Sequence, residues 1–495
     1  MVFFMNNKSS EYKKTFKSTF LFGFVQIFNI FTKIFLNKAA AVLLGSEGVG
    51  LIGIFQSVSE MLKTLFGLGV SQSAVRDISK ANKDKDSFLL ARIIKITNVL
   101  NLFLAIFAVL IIVMLSGYLS ILSFGDRSYT LMFECLSIVV LFGIIFEGQL
   151  SILKGLRHLR SVAKSMMLGS LFGTIFGVPL YYFFGINGII PSLIIMAITL
   201  ALFSTYYVYR ARYDMTIKLE FKECLDKSIK MIKVGLALML VTFAATITNF
   251  IIKSYIINVS SLKVLGYYQA GATIVTSYFS IIVVAMMTDY YPKISSIFDN
   301  NYEISKELNR QVKVGMIIMT PLLIIFLLFM PIIIRILYSS DFIVSIQYIQ
   351  YAVLGMLIVL CSNPVDMILV AKQKMKIFLF GVVFYRVLMV LLSIYCFNHY
   401  GLGGLGISEL IMSIIHLLMM SYIVYKLYYI RLDNASLFML CFGLLLTIIC
   451  ILITFLQGVL LYLLSLLMLL VALIYFIVNV NRFLGYNILS LRIKR

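Results

Sequence analysis

The chain has no tryptophan, only 21 acidic residues against 42 lysines and arginines, and charged residues make up just 13% of it. Soluble proteins carry about 25% charged residues, so the low charge, together with a hydrophobic fraction of 61%, excludes a soluble globule. Without tryptophan, the 29 tyrosines must supply any aromatic belt at a membrane interface. The six cysteines (Cys135, Cys224, Cys361, Cys396, Cys441, Cys450) stand singly, with neither metal-ligand spacing nor a disulfide framework. None of the three histidines, His158, His399 and His416, has a second histidine or a carboxylate at ligand spacing. No metal site and no cofactor is expected. The net charge of +21 would suit nucleic acid, but the basic residues sit in short connections between apolar runs. That is the positive-inside pattern of a membrane protein, and nucleic acid is excluded as a partner. Met1–Met5 is too short for a signal-peptide core, so the first apolar run reads as a retained span.

The fold class that follows is all-α: a polytopic membrane protein of about fourteen transmembrane helices. A span needs about 20 mostly apolar residues. Such runs lie at 16–36, 50–74, 96–116, 131–152, 165–184, 188–209, 234–257, 265–290, 314–334, 346–370, 377–398, 404–426, 437–456 and 459–479. Most of the lysines and arginines fall in alternate connections, which makes that side cytoplasmic. The other side and its margins hold only Lys38, Arg127, Lys253, Lys263 and Arg335. Both termini are therefore expected inside. Tyr206, Tyr207, Tyr209, Tyr290, Tyr291, Tyr425, Tyr428 and Tyr429 stand at inner boundaries, as a belt requires. The outer loops, such as His399-Tyr400-Gly401-Leu402-Gly403, are too small to hide a domain.

The chain repeats itself at a spacing of 216 residues. Lys17 pairs with Lys233, Lys33 with Asn249 and Asn37 with Lys253. After a shift of three, Gly53-Ile54-Phe55-Gln56 matches Gly266-Tyr267-Tyr268-Gln269, and at 216 again Gly185-Ile186-Asn187-Gly188 matches Gly401-Leu402-Gly403-Gly404. The expected organisation is a six-helix lobe (1–210), a cytoplasmic linker (211–233), a second six-helix lobe (234–430), and a two-helix pair with a cytoplasmic tail (431–495). Six spans per lobe is an even number, so the repeat is parallel. The last pair lacks a polar stripe and reads as lipid-facing.

Polar side chains recur on single helical faces. The first helix carries Gln26, Asn29, Lys33 and Asn37; the second carries Gln56, Glu60, Lys63 and Gly67, all at steps of three or four. The seventh repeats the device with Thr242, Thr246, Asn249 and Lys253, and the eighth carries Gln269. Glu147 lies on the fourth, Asp366 on the tenth, Arg386 on the eleventh and Glu409 on the twelfth. Arg386 is ten residues past Lys376, about 15 Å into the membrane, and it cannot shed its charge. An ionisable group in hydrocarbon costs at least about 2.5–3.5 kcal/mol, so these stripes imply a wet cavity. Lysine and arginine in a low-dielectric cleft suit a diphosphate, and Asn and Gln suit sugar hydroxyls. Glu60, Glu147, Asp366 and Glu409 are candidates to carry a coupled proton or other ion. Bland alternatives exist: Glu60 and Lys63 as a local ion pair, Glu147 paired with Lys154, Asp366 paired with Lys372, Lys33 and Lys253 snorkelling to the interface.

The first hairpin resembles the Wzx-type flippases of O-antigen and other surface polysaccharides, in the multidrug/oligosaccharidyl-lipid/polysaccharide exporter superfamily. The residues that carry the resemblance are Leu44-Gly45-Ser46-Glu47-Gly48-Val49-Gly50-Leu51-Ile52-Gly53-Ile54-Phe55-Gln56, then Phe66-Gly67-Leu68-Gly69-Val70-Ser71-Gln72-Ser73-Ala74, and Tyr291-Pro292-Lys293-Ile294-Ser295 at the exit of helix eight. The resemblance implies a two-lobed transporter in the bacterial cytoplasmic (inner) membrane. It implies alternating access that carries an undecaprenyl-diphosphate-linked glycan outward, coupled to a proton or sodium ion, with a polysaccharide polymerase as a further partner. Fourteen spans rather than twelve keep the related lipid II flippases open as an alternative. A drug or cation antiporter of the same superfamily should favour carboxylates and aromatics over Lys33, Lys63 and Arg386. A polymerase or ligase would need a larger outer loop than any here.

Overall fold

The computed structural model describes residues 28, 30–211 and 221–484. Gln26 and Asn29, and most of the first expected span, lie outside the described residues. Among the described residues the chain is all-α, with no strand. Among the described residues eleven helical segments are long and apolar enough to cross a membrane, and two of them double back, which makes thirteen passes there, each coinciding with an expected span. The protein is a multi-pass membrane protein.

The chain forms two compact units, Met1–Gly266 and Tyr267–Arg495. The first begins with α1 (30–43) and α2 (Gly45–Gly67), followed by the amphipathic α3 (Val70–Lys83). The sequence pattern reads α2 and the start of α3 as one span. The chain breaks there because Leu68 and Gly69 both turn left-handed, at φ 47° and 68°. Then come α4 (Ser87–Phe124), α5 (Thr130–Gly155), α6 (Leu159–Phe184), α7 (Ile189–Tyr209) and α8 (Phe221–Val259). The first unit thus holds α8, which the repeat assigns to its second lobe. Asp86 opens α4 by accepting a hydrogen bond from the Leu89 amide at 2.9 Å. Ile78, Ile94, Ile96 and Ile152 pack in a core with no exposed surface. α2 buries Ser46, Gly48, Gly50, Gly53, Ser57 and Ser59, the small residues that let helices approach closely where burial of apolar surface gives no drive.

The second unit contains most of α9 (Leu262–Ala272), a wide helical turn at Thr273–Tyr278, α10 (Ser280–Ser296), α11 (Asn301–Leu328) and α12 (Met330–Leu337). α13 (Ile346–Ala371) is its most buried span and packs against α14 (Met375–Tyr428), meeting the arm after Gly401. α15 (Asn434–Thr454) and α16 (Val459–Leu484) pack on α11, with Leu460, Leu463, Leu467 and Leu470 exposed on the outer face. Of the eight tyrosines expected at inner boundaries, Tyr206, Tyr209, Tyr291, Tyr425 and Tyr429 are exposed and Tyr207 and Tyr428 half-buried, but Tyr290 is buried in the helix packing and cannot serve a belt.

The repeat is visible in backbone geometry. α6 turns into α7 at Gly185 (φ 55°, ψ −131°), and α14 doubles back at Gly401 (φ 57°, ψ −139°). Across the second hairpin Ser393 and Ser408 hydroxyls meet at 3.0 Å. Their counterparts at 216, Gly177 and Ser192, also face each other. Gly50 lies against the Leu262 carbonyl while Gly266 lies against that of Ser46. This is a reciprocal contact in which each partner is replaced by its equivalent at 216. The expected three-residue shift at Gly53 and Gly266 is therefore absent at that point.

Candidate functional site

Helices α2, α3, α5 and α8 of the first unit wall a cavity of about 260 Å³. The left-handed break at Leu68 and Gly69 shapes one end. Gly69 there lies backbone to backbone against Gly235 of α8, an approach that a side chain on either residue would prevent. α3 contributes Ser71 and Gln72, α8 contributes Thr242 and Thr246, and α5 contributes Glu147. From α2 come Glu60, Lys63 and Thr64. The Lys63 stem crosses α5 at Gly143, where a Cβ would collide with its Cδ. Among the described residues neither Glu60, Lys63 nor Glu147 lies within ion-pair distance of a partner. The local Glu60–Lys63 pair and the Glu147–Lys154 pair are therefore not formed.

The other sequence candidates distribute as follows. Gln56 is half-buried on α2, one helical turn from Glu60. Lys33 on α1 and Asn249 on α8 are exposed. Lys253 on α8 donates from Nζ to the Gly53 carbonyl of α2 at 3.1 Å, tying the two helices together. In the second unit, Gln269 donates from Nε2 to Thr273 Oγ1 at 3.3 Å, and its Oε1 is buried without a partner. Asp366 does not pair with Lys372. Six positions round a helix is 240°, so the two point apart; Lys372 instead donates to Asn301 Oδ1 at 2.7 Å, and Asp366 Oδ2 lies 3.6 Å from His416 Nε2. Tyr348 donates to Glu409 Oε1 at 2.6 Å. The Arg386 guanidinium lies 5.3 Å from the Tyr385 ring centroid, with Nε buried and unbonded.

Sequence reasoning missed Thr64, Tyr348, Tyr385 and His416 as neighbours of these groups. No carboxylate stands near His416 in sequence; its partner comes from another helix. One signal could have found them. At a spacing of 216, Asp366, Glu409 and His416 correspond to Leu150, Leu193 and Leu200, so the repeat turns polar at these positions.

A family model described as "Polysaccharide biosynthesis protein" matches residues 41–347. No curated protein matches the sequence. Among solved structures, the lipid II flippase MurJ in an inward closed conformation is similar at TM-score 0.69 and 15% identity, over 94% of this chain and 98% of that one. An inward-facing multidrug resistance MATE family transporter of the MOP superfamily is similar at TM-score 0.67 and 17% identity, over 81% and 95%. An outward-facing MATE structure gives 0.57 and 17%, over 83% and 96%. At these identities the likeness concerns the fold alone. With the family model spanning well over half the sequence, the chain belongs to the polysaccharide biosynthesis protein family.

Proposed function

We propose that the protein is a flippase that carries an undecaprenyl-diphosphate-linked oligosaccharide, an O-antigen or similar surface-polysaccharide repeat unit, from the inner to the outer leaflet of the bacterial cytoplasmic membrane. Both termini are cytoplasmic. The lobes 1–210 and 234–430 alternate access around the 211–233 linker, driven by a proton or sodium gradient, and a polysaccharide polymerase takes up the product. The observation that carries the reading is Lys63: a lysine without an ion-pair partner among the described residues, held in a membrane-embedded cavity beside Thr64, Ser71, Gln72, Thr242 and Thr246. A cation next to hydroxyls and an amide matches a diphosphate joined to a sugar. Lys33 and Arg386 supply further positive charge. Gln26, Asn29, Gln56, Asn249 and Gln269 supply hydrogen bonds to sugar, and Lys253 braces α2. Family membership and the fold of a lipid II flippase support this reading.

A second reading, a drug or cation antiporter, is favoured by one feature: Glu60 and Glu147 outnumber Lys63 in the cavity. The experiment that separates them measures surface glycan and lipid-linked precursor in cells depleted of the protein, alongside accumulation of a cationic dye. Loss of surface glycan with precursor held on the inner leaflet supports the flippase. Normal glycan with dye retained in the cells favours the antiporter.

A further inference from the structure

Within the second unit, α13 and the two arms of α14 enclose a charged cluster. Asp366 is only 7% exposed; its Oδ2 stands 3.6 Å from His416 Nε2 and its Oδ1 has no hydrogen-bond partner. The His416 ring lies 4.8 Å from that of Tyr385. Arg386, next along α14, has its guanidinium 5.3 Å from the Tyr385 ring centroid. Glu409 accepts from Tyr348, whose ring meets that of Tyr268 edge-on at 5.1 Å. On the neighbouring helices, Lys313 of α11 and Asp433, just before α15, pair with each other.

The fold does not need this cluster. Helices α5, α6 and α7 form the same hairpin set at a spacing of 216. There Asp366, Glu409 and His416 are replaced by Leu150, Leu193 and Leu200, and Tyr348 by Met132. Even the contact is preserved: Gly169 lies against Leu200, as Tyr385 lies against His416. Burying charge costs several kcal/mol per ion, and one half of the molecule builds this architecture without it.

Charge bookkeeping then says what the cluster lacks. Arg386 is permanently positive. Glu409, which accepts from the Tyr348 hydroxyl, offsets that charge when ionised. Asp366 ionised beside a neutral His416 leaves one negative charge in excess, and one proton on either group restores neutrality. Asp366 Oδ2 and His416 Nε2 stand 3.6 Å apart, close enough to share one proton, and the missing charge is assigned to that proton.

We propose that Asp366 and His416 together hold a single exchangeable proton, and that this is the coupling proton of transport. The coupling role rests on the flippase reading; the proton site does not. Infrared difference spectroscopy of the full chain in liposomes, across an acid–base step, reads it directly. A protonated-carboxyl signal is expected in the native chain; in Glu409→Gln, where Arg386 alone balances an ionised Asp366, it should persist only at lower pH. It should be lost in Asp366→Asn and shifted in His416→Gln. The double variant Asp366→Leu, His416→Leu carries the residues that the first unit has at these positions, so it is expected to fold and to lose the signal too. A signal that survives Asp366→Asn, or that is absent from Glu409→Gln at every pH, overturns the assignment. So does displacement of the signal by sodium at constant pH. Because no glycan is present, failure of the flippase reading leaves this result standing. If Asp366→Asn loses the signal yet drives glycan export normally in cells, the proton exists but is not the coupling proton.

Discussion

Arg157 and Gln373 stand 216 residues apart, and each takes the left-handed conformation at φ 58°. The backbone bonds around them repeat as well. His158 donates to the Leu153 carbonyl at 2.9 Å, and Lys374 to that of Leu369 at 2.9 Å; Arg157 donates to Lys154 at 3.0 Å, and Gln373 to Val370 at 3.0 Å. The stretch from α5 through α7 and the stretch through α13 and α14 are one structural unit built twice. Any position at which the two copies differ in chemistry therefore reports something other than the needs of the fold.

The hairpin glycines test this equivalence. Gly185 and Gly401 occupy the same region of backbone space, closed to other residues, and a Cβ on either meets no atom. Gly185→Ala and Gly401→Ala should each cost about 1–3 kcal/mol through backbone strain alone. Thermal unfolding of the purified variants should show two similar losses. Unequal losses would show that the two hairpins are not under the same constraint.

Gly143 holds the Lys63 stem in place. In Gly143→Ala the new methyl collides with the far part of a flexible side chain, which can swing aside, so the helix packing should survive. The expected outcome is near-normal abundance with glycan export reduced towards that of Lys63→Ala. Normal export in Gly143→Ala would mean that the position of the ammonium does not matter.

Much of this was legible in the sequence. Span number, the 216-residue register and the sites of the two hairpin glycines follow from apolar length and repeated Gly patterns, which are local signals. The break at Leu68 and Gly69 was not legible, because apolar sequence continues through it and only the backbone contact of Gly69 with Gly235 forces the turn. The Glu60, Lys63 and Glu147 grouping was half legible: helical spacing put Glu60 and Lys63 on one face, while Glu147 arrives from another helix. The Asp366–His416 pair was not read, since its partners are fifty residues apart and come together only through the fold.

Asp433 connects the last helix pair to α11. It caps α15 by accepting from the Ser436 amide at 2.7 Å and pairs with Lys313 at 2.5 Å. Burial raises its pKa, but the hydrogen bonds from Lys313 and Ser436 outweigh that and hold it below 3.8. A carboxylate with a lowered folded value contributes stability that is complete above its unfolded value and is lost as pH falls through the folded one. Asp433→Ala should cost about 1 kcal/mol near neutrality, the usual worth of a helix cap. The difference from the native chain should shrink as the pH drops below 3.8. A difference that stays constant through that range would show that the carboxylate charge contributes nothing.

Arg386 separates substrate binding from coupling. If its charge serves only the diphosphate, Arg386→Lys should impair export by loss of the planar fork, and Arg386→Gln should impair it further, with the shape of the pH profile unchanged. If its charge balances the cluster, Arg386→Gln leaves Asp366 and Glu409 without a cation, and a second proton is needed for neutrality. The pH profile of transport should then become steeper, while Arg386→Lys, which keeps the charge, should retain the native slope. Protein level must be measured in each case, because removing one member of a buried charged group can cost about 3–5 kcal/mol. An Arg386→Gln variant at normal abundance with the native slope would remove Arg386 from the proton balance and leave it to the substrate.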